Sequence, residues 1–234
     1  MRLDLLKALN AARSERRASA LVTRLRDGEQ RFVAAEAVAG DSLAEPIEAA
    51  LRAGKSQTIE HEGESYFLTV QVPPVRLVMI GAVHISQALA PVARMAGLDP
   101  VIIDPRTAFA TPERIPDAPV LAQWPDEALE AAPLDRYTAI CLLTHDPKID
   151  DRALVRALRA DCFYIGALGS RKTHAKRLER MRAAGFDEAA LARIHAPIGL
   201  DIGAVSPPEI AVSIIAEIIA GLRKKPLRSE RAAP

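Results

Sequence analysis

The N-terminal part of the chain alternates short apolar runs with turn residues. Leu and Ala recur at helical spacing near the N-terminus, and Gly28 and Gly63 each separate two alternating runs. A glycine between two alternating runs predicts a β-hairpin. Ser42 and Glu45 have the spacing of a capping box, which predicts the start of a helix. Residues 1–72 are therefore expected to form a small α+β domain.

From Arg76 onward, continuous apolar runs alternate with segments of helical periodicity. This alternation is typical of a parallel sheet with helices on both faces. The predicted strands cover 77–80, 100–104, 138–143 and 162–165, and the predicted helices cover 84–96, 150–160, 172–184, 186–194 and a long segment from Pro207. We therefore expect an α/β fold, with a Rossmann-like doubly wound parallel sheet over residues 75–225. Residues 226–234 are expected to fray.

Composition and charge exclude several classes of protein. With 31 Lys plus Arg against 30 Asp plus Glu, the net charge is +1, so no electrostatic surface for nucleic acid is expected. The N-terminus lacks the apolar core of a secretion signal, and the longest apolar stretch, 211–222, is shorter than a membrane span. A cytoplasmic protein with no nucleic-acid and no membrane partner is expected. Cys141 and Cys162 fall in apolar strands, which predicts buried, reduced thiols.

Ligands of a doubly wound sheet bind outside the carboxyl ends of its strands, so the residues directly after each strand are informative. The first strand is followed by the segment GAVH, which aligns with the dinucleotide turn G-x-G-x-x-G only at Gly81. Val83 replaces the glycine that lets a pyrophosphate approach the backbone. His84 opens the next helix and is a candidate ligand contact, or else a solvated first-turn histidine.

Two further strand ends carry polar side chains. Asp104 lies about 20 residues beyond the glycine turn, where an acidic residue binds a ribose or a similar diol, and Arg106 supplies a cation for a phosphate. The alternative for this pair is a salt-bridged strand end. Thr144, His145 and Asp146 follow another strand, and a histidine beside a carboxylate is suited to act as a general base. Asp146 is alternatively the cap of the following helix.

The turn Gly169-Ser170-Arg171 leads from a strand into a helix. Glycine, a hydroxyl group and a cation at a helix N-terminus favour a phosphate or carboxylate site. His174 is expected at the surface, and the other basic residues of this helix are interpreted as a solvated face. They are Lys176, Arg177, Arg180 and Arg182. The loop 196–203 is apolar and glycine-rich, so we expect it to form one wall of a binding site.

Five ordered segments resemble the XdhC/CoxI family, the accessory proteins of xanthine dehydrogenase and related molybdenum hydroxylases. The segments are GAVHISQALAPVARMAG, VIIDPR, LLTHD, YIGALGSRKT and APIGLDIGAVSPPEIAVSIIAEI, and they span nearly two thirds of the chain. Carried over residue by residue, the motifs of the family at the strand ends fall on positions already singled out. They are Gly81, His84, Asp104, Arg106, Thr144, His145, Asp146, Gly169, Ser170 and Arg171.

The resemblance implies a Rossmann-like domain in a protein that binds the molybdenum cofactor. Such a protein holds the cofactor while a cysteine desulfurase supplies its terminal sulfido ligand, and it then passes the cofactor to apo xanthine dehydrogenase or a related hydroxylase. The resemblance also implies a homodimer. The chain departs from the family at Val83, where a second glycine is usual, and in residues 1–72, which contain no cysteine. A mechanism that needs an N-terminal thiol is therefore not expected here.

Three classes of function remain open from the sequence. A cofactor-binding chaperone without net chemistry is favoured by the resemblance and by the lack of a complete catalytic constellation such as G-x-S-x-G. An NAD(P)-dependent oxidoreductase is the alternative, with Gly81 and Asp104 as nucleotide contacts. The third class is a subunit that only interacts with partners and has lost its binding site.

Overall fold

The structure is a computed structural model, and it describes residues 2–224. The chain divides into two compact units, with the boundary between Pro73 and Pro74. The segment 226–234, predicted to fray, lies outside the described residues. Within the described part of the chain, none of the helices combines the length and the hydropathy that a membrane span requires.

The N-terminal unit contains a four-stranded antiparallel sheet. Its elements are α1 (Leu3–Ser14), β1 (Ser19–Arg24), β2 (Gln30–Ala34), a 3-10 helix (Ala35–Gly40), α2 (Ala44–Ala53), β3 (Gln57–His61) and β4 (Glu64–Gln71). The strand order is β2-β1-β4-β3, and all neighbouring pairs are antiparallel. Both predicted hairpins are confirmed, and Gly28 and Gly63 turn the chain at φ +76° and +78°. The core of this unit lies between the sheet and α2, around Leu68 and Ile47.

The predicted capping box at Ser42 is wrong. Helix α2 begins at Ala44, and the side chain of Asp41 accepts a hydrogen bond of 2.8 Å from the amide of Leu43. Asp41 is held in place by a bidentate ion pair with Arg31 of β2, which lowers the pKa of that carboxyl. Arg31 of β2 therefore holds the carboxylate that contacts the start of the helix. The spacing of residues around Ser42 does not reveal this ion pair.

The C-terminal unit contains a six-stranded sheet with helices between the strands. Its elements are β5 (Arg76–Ile80), α3 (His84–Met95), β6 (Asp99–Ile103), β7 (Val120–Leu121), α4 (Pro125–Ala131), β8 (Thr138–Leu142), α5 (Pro147–Arg159), β9 (Tyr164–Ala167), α6 (Arg171–Ala183), α7 (Glu188–Leu191), β10 (Ile194–His195) and α8 (Pro207–Lys224). The strand order is β10-β9-β8-β5-β6-β7, and every neighbouring pair is parallel. This is the Rossmann order, so the predicted doubly wound α/β fold is confirmed.

Helices cover both faces of this sheet, and each face has its own core. Leu89 of α3 and Ile214 of α8 are fully buried on one face, and Leu154 of α5 is fully buried on the other. Strands between two such layers are apolar on both sides, and every residue of β8 is buried. Cys141 and Cys162 are buried and free, as predicted, and burial raises the pKa of the Cys162 thiol to about 12.

Three short elements of this unit differ from the sequence prediction. Ile194 is predicted to end a helix but begins β10, because Ile194 and His195 pair with Ile165 and Gly166 of β9. The stretch 105–133 is interrupted by prolines and has no predicted element, but it contains β7 and α4. These elements are two and seven residues long, too short for a hydrophobic period to identify them.

Candidate functional site

The predicted site residues lie on the loops that leave the carboxyl ends of the parallel strands. The strand order reverses between β5 and β8, which is where Rossmann folds bind their ligands. Gly81 follows β5 and Thr144 follows β8, and the two loops meet at this point. A Cβ at Gly81 would lie 2.8 Å from Cγ2 of Thr144. Gly81 also has φ +115°, so both its backbone conformation and its surroundings require glycine.

The backbone amides of the Gly81 turn are engaged within the protein. The amide of Gly81 donates to a carbonyl of β6 at 2.8 Å, and the amide of Ala82 donates to Asp104 at 2.8 Å. The amide of Val83 donates to the buried hydroxyl of Ser86 at 2.9 Å. A dinucleotide site uses such amides to bind pyrophosphate. Positions 81–83, all within the described chain, offer no free amide for that purpose.

Asp104 is completely buried and forms a bidentate ion pair with Arg106. One carboxylate oxygen accepts from the amide and Nε of Arg106, and the other accepts from Nη2 of Arg106 and the amide of Ala82. Burial alone would raise the pKa of Asp104, but these hydrogen bonds hold it below its usual value. Four donors fill the roughly four lone-pair positions of a carboxylate. Asp104 therefore positions the Gly81 turn, and binding a diol requires it to give up one of these bonds.

Thr144, His145 and Asp146 lie together at the end of β8 but have three different roles. Thr144 Oγ1 donates to Oδ1 of Asp150 at 2.7 Å. His145 is exposed and has a left-handed backbone with φ +63°, which is uncommon outside glycine. The side chain of Asp146 accepts from the amide of Lys148 at 2.9 Å and caps α5. The capping alternative for Asp146 is therefore observed, and its carboxylate makes no hydrogen bond to His145.

The Gly169-Ser170-Arg171 turn joins β9 to α6. Gly169 has φ +129°, and the hydroxyl of Ser170 caps α6 by accepting from the amide of Thr173 at 3.2 Å. Arg171 is exposed on the first turn of α6, and His84 is exposed on the first turn of α3. All of the predicted site residues thus lie at one edge of the sheet, in several groups along it.

A cavity of about 430 Å³ lies between this turn and the glycine-rich loop; we call it the apolar cavity. Its lining is formed by Leu168, Arg171, Pro197, Ile198, Gly199, Leu200, Asp201, Ile202, Gly203, Ala204, Ile210 and Ser213. The loop forms a wall of the cavity, as expected from its composition. Close contacts fix its path, since a Cβ at Gly166 of β9 would lie 2.5 Å from Cδ1 of Ile198.

Glu217 of α8 anchors this loop from below. Its carboxylate accepts from the amide of Gly199 at 2.8 Å and from the hydroxyl of Tyr164 at 2.5 Å, and it contacts Nδ1 of His195 at 2.9 Å. Burial, followed by the neighbouring Cys141 and Glu217, raises the pKa of the Tyr164 hydroxyl, so this group stays protonated and donates. One partly buried carboxylate therefore connects α8, β9, β10 and the wall of the apolar cavity.

We expect Glu217→Gln to lower the free energy of unfolding by about 1 kcal/mol, because neutral hydrogen bonds replace charge-assisted ones. Urea unfolding followed by the fluorescence of Trp124, the one tryptophan of the chain, measures this change. Glu179→Gln, an exposed substitution on α6 beyond the first turn of that helix, is the matched control and should leave stability unchanged. Equal effects of the two substitutions would show that Glu217 does not anchor the loop.

A second cavity, of about 330 Å³, lies between α5 and α6; we call it the cationic cavity. Its lining is formed by His145, Pro147, Asp150, Lys172, Thr173, Lys176, Arg177 and Arg180. The interpretation of α6 as a solvated basic face is wrong for Arg177, which is only 2% exposed. Arg177 and Met181 lie four positions apart and form the inner face of the helix. His174, expected at the surface, is half-buried.

Asp150 of α5 forms the acidic part of this wall. The residue is 2% exposed, and one of its carboxylate oxygens accepts from the hydroxyl of Thr144. Burial raises the pKa of Asp150 to about 6, against the opposing effects of Thr144 and Arg177. An acid with this pKa changes charge just below neutral pH, which is typical of functional sites.

The sequence analysis missed Asp150 and the burial of Arg177, whereas the position of Glu217 among apolar residues fits either a buried partner of a cation or an outward-facing charge. Each of them is a charged residue on the inner face of a helix, among apolar residues at helical spacing. Asp150 shares its face with Ala153 and Leu154. A charge at an apolar position of a helical pattern is the signal that would have found these residues.

Comparisons with known proteins match the C-terminal unit. The family model described as the XdhC Rossmann domain matches residues 77–218, more than half of the chain. YqeB, an uncharacterized protein of Escherichia coli, is 34% identical over 66% of this chain. The molybdenum cofactor insertion chaperone PaoD of Escherichia coli is 32% identical over 62% of it, and a probable xanthine dehydrogenase subunit of Bacillus subtilis is 31% identical over 63%.

These alignments cover 29%, 40% and 43% of the three relatives, so the chain spans less than half the length of each. A crystal structure of a xanthine dehydrogenase from Bacillus halodurans is similar over 94% of this chain and 67% of that one. The TM-score is 0.67 and the sequence identity is 23%, which shows a common fold.

Proposed function

The chain belongs to the XdhC family, and from this premise we propose that it is an accessory protein that binds the molybdenum cofactor and inserts it into xanthine dehydrogenase or a related hydroxylase. The names of two relatives support this role, since one is a molybdenum cofactor insertion chaperone and the other a probable xanthine dehydrogenase subunit. In such a hydroxylase the cofactor supplies the redox-active metal. The task of this chain is to bind, orient and release the cofactor.

The observation that carries the proposal is the apolar cavity at the ligand-binding edge of the sheet. The molybdenum cofactor combines a flat pterin ring with negative charge. The apolar loop offers a surface for the ring, and Arg171 at the N-terminus of α6 offers a cation. Gly169 and Ser170 shape the turn that presents Arg171. These residues fit the group, and we assign them to its binding.

The protein holds the cofactor without a covalent bond to its own sulfur. Cys141 and Cys162 are buried in the sheet region, and burial raises the pKa of both thiols, so neither provides a thiolate at neutral pH. Delivery of a sulfido ligand therefore requires an external sulfur donor, and a cysteine desulfurase is the partner that we propose for this step. We also propose that two copies of the chain associate as a homodimer in the cytoplasm.

The engaged amides of the Gly81 turn argue against an NAD(P)-dependent oxidoreductase. A pyrophosphate at that turn would have to displace Asp104 from the amide of Ala82 or Ser86 from the amide of Val83. Each displaced group is buried and would lose one of its hydrogen bonds, which costs free energy. No comparable cost opposes a ligand in the apolar cavity.

We expect Arg171→Ala to weaken binding of purified molybdopterin by about 1 to 3 kcal/mol, or roughly 5- to 150-fold, because a charge-assisted contact is lost. Fluorescence titration or calorimetry measures the affinity. Arg182→Ala removes an exposed arginine from the other end of α6, where it pairs with Glu188, and should not change binding. Equal affinity of the wild type and Arg171→Ala would remove Arg171 from the site.

The transfer role has its own test. The chain should co-migrate with an apo molybdenum hydroxylase on size-exclusion chromatography and restore its activity when loaded with the cofactor. Absence of both a complex and transfer would contradict the accessory role.

A further inference from the structure

The cationic cavity shares no lining residue with the apolar cavity, to which we assign the pterin ring. We propose that it is a phosphate-binding site, built from the buried guanidinium of Arg177 and the side chains of Lys172 and Lys176. Its ligand is a phosphate group, free or as part of an ester. The link to the phosphate of the molybdenum cofactor rests on the proposed function, whereas the phosphate site itself does not.

The unpartnered atoms of Arg177 are the first observation. Nη2 donates to the carbonyl of Leu168 at 2.8 Å, but Nε and Nη1 are buried and have no hydrogen-bond partner among the described residues. Burial lowers the pKa of this arginine, yet an arginine in a protein keeps its charge. A buried cation with two unused donors is costly, and native structures rarely contain one. Because these atoms are covered, a shift of the Arg177 side chain towards the cavity brings them to a phosphate oxygen, which then supplies the missing acceptor.

Asp150 does not replace that acceptor. Asp150 is the buried acid in the wall of the same cavity. Its Oδ1 accepts from Thr144, and no ion pair between Asp150 and Arg177 is present in the described chain. Arg180 is already paired with Asp151, at 2.5 and 3.0 Å. Within the cavity, the charges of Lys172, Lys176 and Arg177 therefore exceed the single negative charge of Asp150.

The first turn of α6 is the second, independent observation. Acidic side chains stabilise the N-terminus of a helix, because the helix dipole is positive there. The first turn of α6 contains no acid and begins with Arg171 and Lys172. Ser170 caps the amide of Thr173, and the amides of the first helical positions have no acceptor within the helix. An anion beside Lys172 reverses this unfavourable arrangement.

The wall of the cavity also explains a preference for phosphate over a single carboxylate. The cationic groups reach the cavity from different positions of α6, and a tetrahedral phosphate presents several oxygens at once. Thr173 adds a hydroxyl group to the wall, and His145, whose φ is positive, also lines the cavity. A cavity of about 330 Å³ accommodates a phosphate or a pyrophosphate group.

The test is calorimetric titration of the full chain with inorganic phosphate and with pyrophosphate at fixed pH and low salt. The wild type should bind at least one of them with one-to-one stoichiometry. Arg177→Met should abolish binding. That variant removes a buried side chain, so a second variant tests binding on a protein that still folds. This double-lysine variant combines Lys172→Ala and Lys176→Ala, both at exposed positions, and it should weaken binding at least tenfold. Arg182→Ala is the control on the same helix and should bind as the wild type.

Asp150→Asn separates a binding role from a structural one. Removal of its negative charge should tighten phosphate binding about fivefold or more, whereas damage to the structure would only weaken it. No binding of either anion by the wild type, or equal binding by the double-lysine variant, would overturn the proposal.

The source of the phosphate is identified by comparing molybdopterin with its dephosphorylated form. A preference of the wild type for the phosphorylated form, lost in the double-lysine variant, would assign the site to the cofactor. Phosphate binding without any molybdopterin binding would support the phosphate site and contradict the proposed function. If the wild type binds molybdopterin but not phosphate, and the double-lysine variant binds molybdopterin equally well, the proposed function is supported and the phosphate site is contradicted.

Discussion

Gly199→Ala is expected to destabilise the C-terminal unit by about 3 kcal/mol or more and to abolish cofactor binding. Gly199 has φ +92°, and a Cβ there would lie 2.2 Å from Oγ of Ser213 and 3.1 Å from the backbone of Ile214. The strained conformation costs about 1 to 3 kcal/mol for a residue with a side chain, and the clash adds a similar cost. The clash also pushes the loop away from Glu217, and the wall of the apolar cavity is lost.

Gly185→Ala is the matched control for this effect. Gly185, between α6 and α7, has φ +91° and lines neither cavity, and a Cβ at this position would have no atom of the described chain within 4 Å beyond its own neighbours. The control should therefore show only the conformational cost and keep cofactor binding. Urea unfolding with Trp124 fluorescence, together with a molybdopterin titration, measures both variants. If both variants have the same stability and affinity, close packing of Gly199 on α8 does not hold the cavity wall.

Asp150→Asn should stabilise the protein by about 3 kcal/mol at pH 8, because burial raises the pKa of this carboxyl from 3.8 to about 6. The native state binds the proton more tightly than the unfolded state, so the wild type loses stability as pH rises between these two values. Above about pH 6 the full cost of the buried charge is present. Asparagine carries no charge, and its amide oxygen still accepts from Thr144.

At pH 5, Asp150→Asn should raise the free energy of unfolding by only about half as much as at pH 8, because much of the wild-type Asp150 is then protonated in the folded state. Asp151→Asn is the control, for which no gain in the free energy of unfolding is expected. Asp151 pairs with Arg180, so its replacement should leave stability unchanged or lower it. Urea unfolding of the wild type and of both variants at pH 8 and at pH 5 gives the change in the free energy of unfolding for each variant at each pH. A gain from Asp150→Asn that does not depend on pH, or a loss at pH 8, would contradict the raised pKa.

The long elements and the fold class follow from the sequence because burial imposes a period on them. Each face of the large sheet is covered by helices, so its central strands are continuously apolar and its helices have a regular inner face. Turns are also predictable from the sequence where a positive φ strongly favours glycine over other residues, as at Gly28 and Gly169. The motifs at the strand ends also lie at one edge of the sheet, since all strands of a parallel sheet point the same way.

The partners of the site residues do not follow from the sequence, because they depend on contacts between distant segments. Asp104 has the position of a ribose-binding acid, but its four hydrogen-bond positions are filled by Arg106 and Ala82. Arg177 has the composition of a surface residue, but the packing of α6 buries it. Both outcomes depend on how neighbouring elements pack, which local spacing does not encode.

The most direct test of the cofactor role is the content of the protein after purification from a host that makes molybdopterin. The fluorescence of oxidised pterin and a nucleotide analysis are measured on the same extract. We predict stoichiometric pterin in the wild type, its loss in Arg171→Ala and Gly199→Ala, and its retention in Arg182→Ala and Gly185→Ala. Bound NAD(P) without pterin in the wild type would contradict the assignment and identify the site as a nucleotide site.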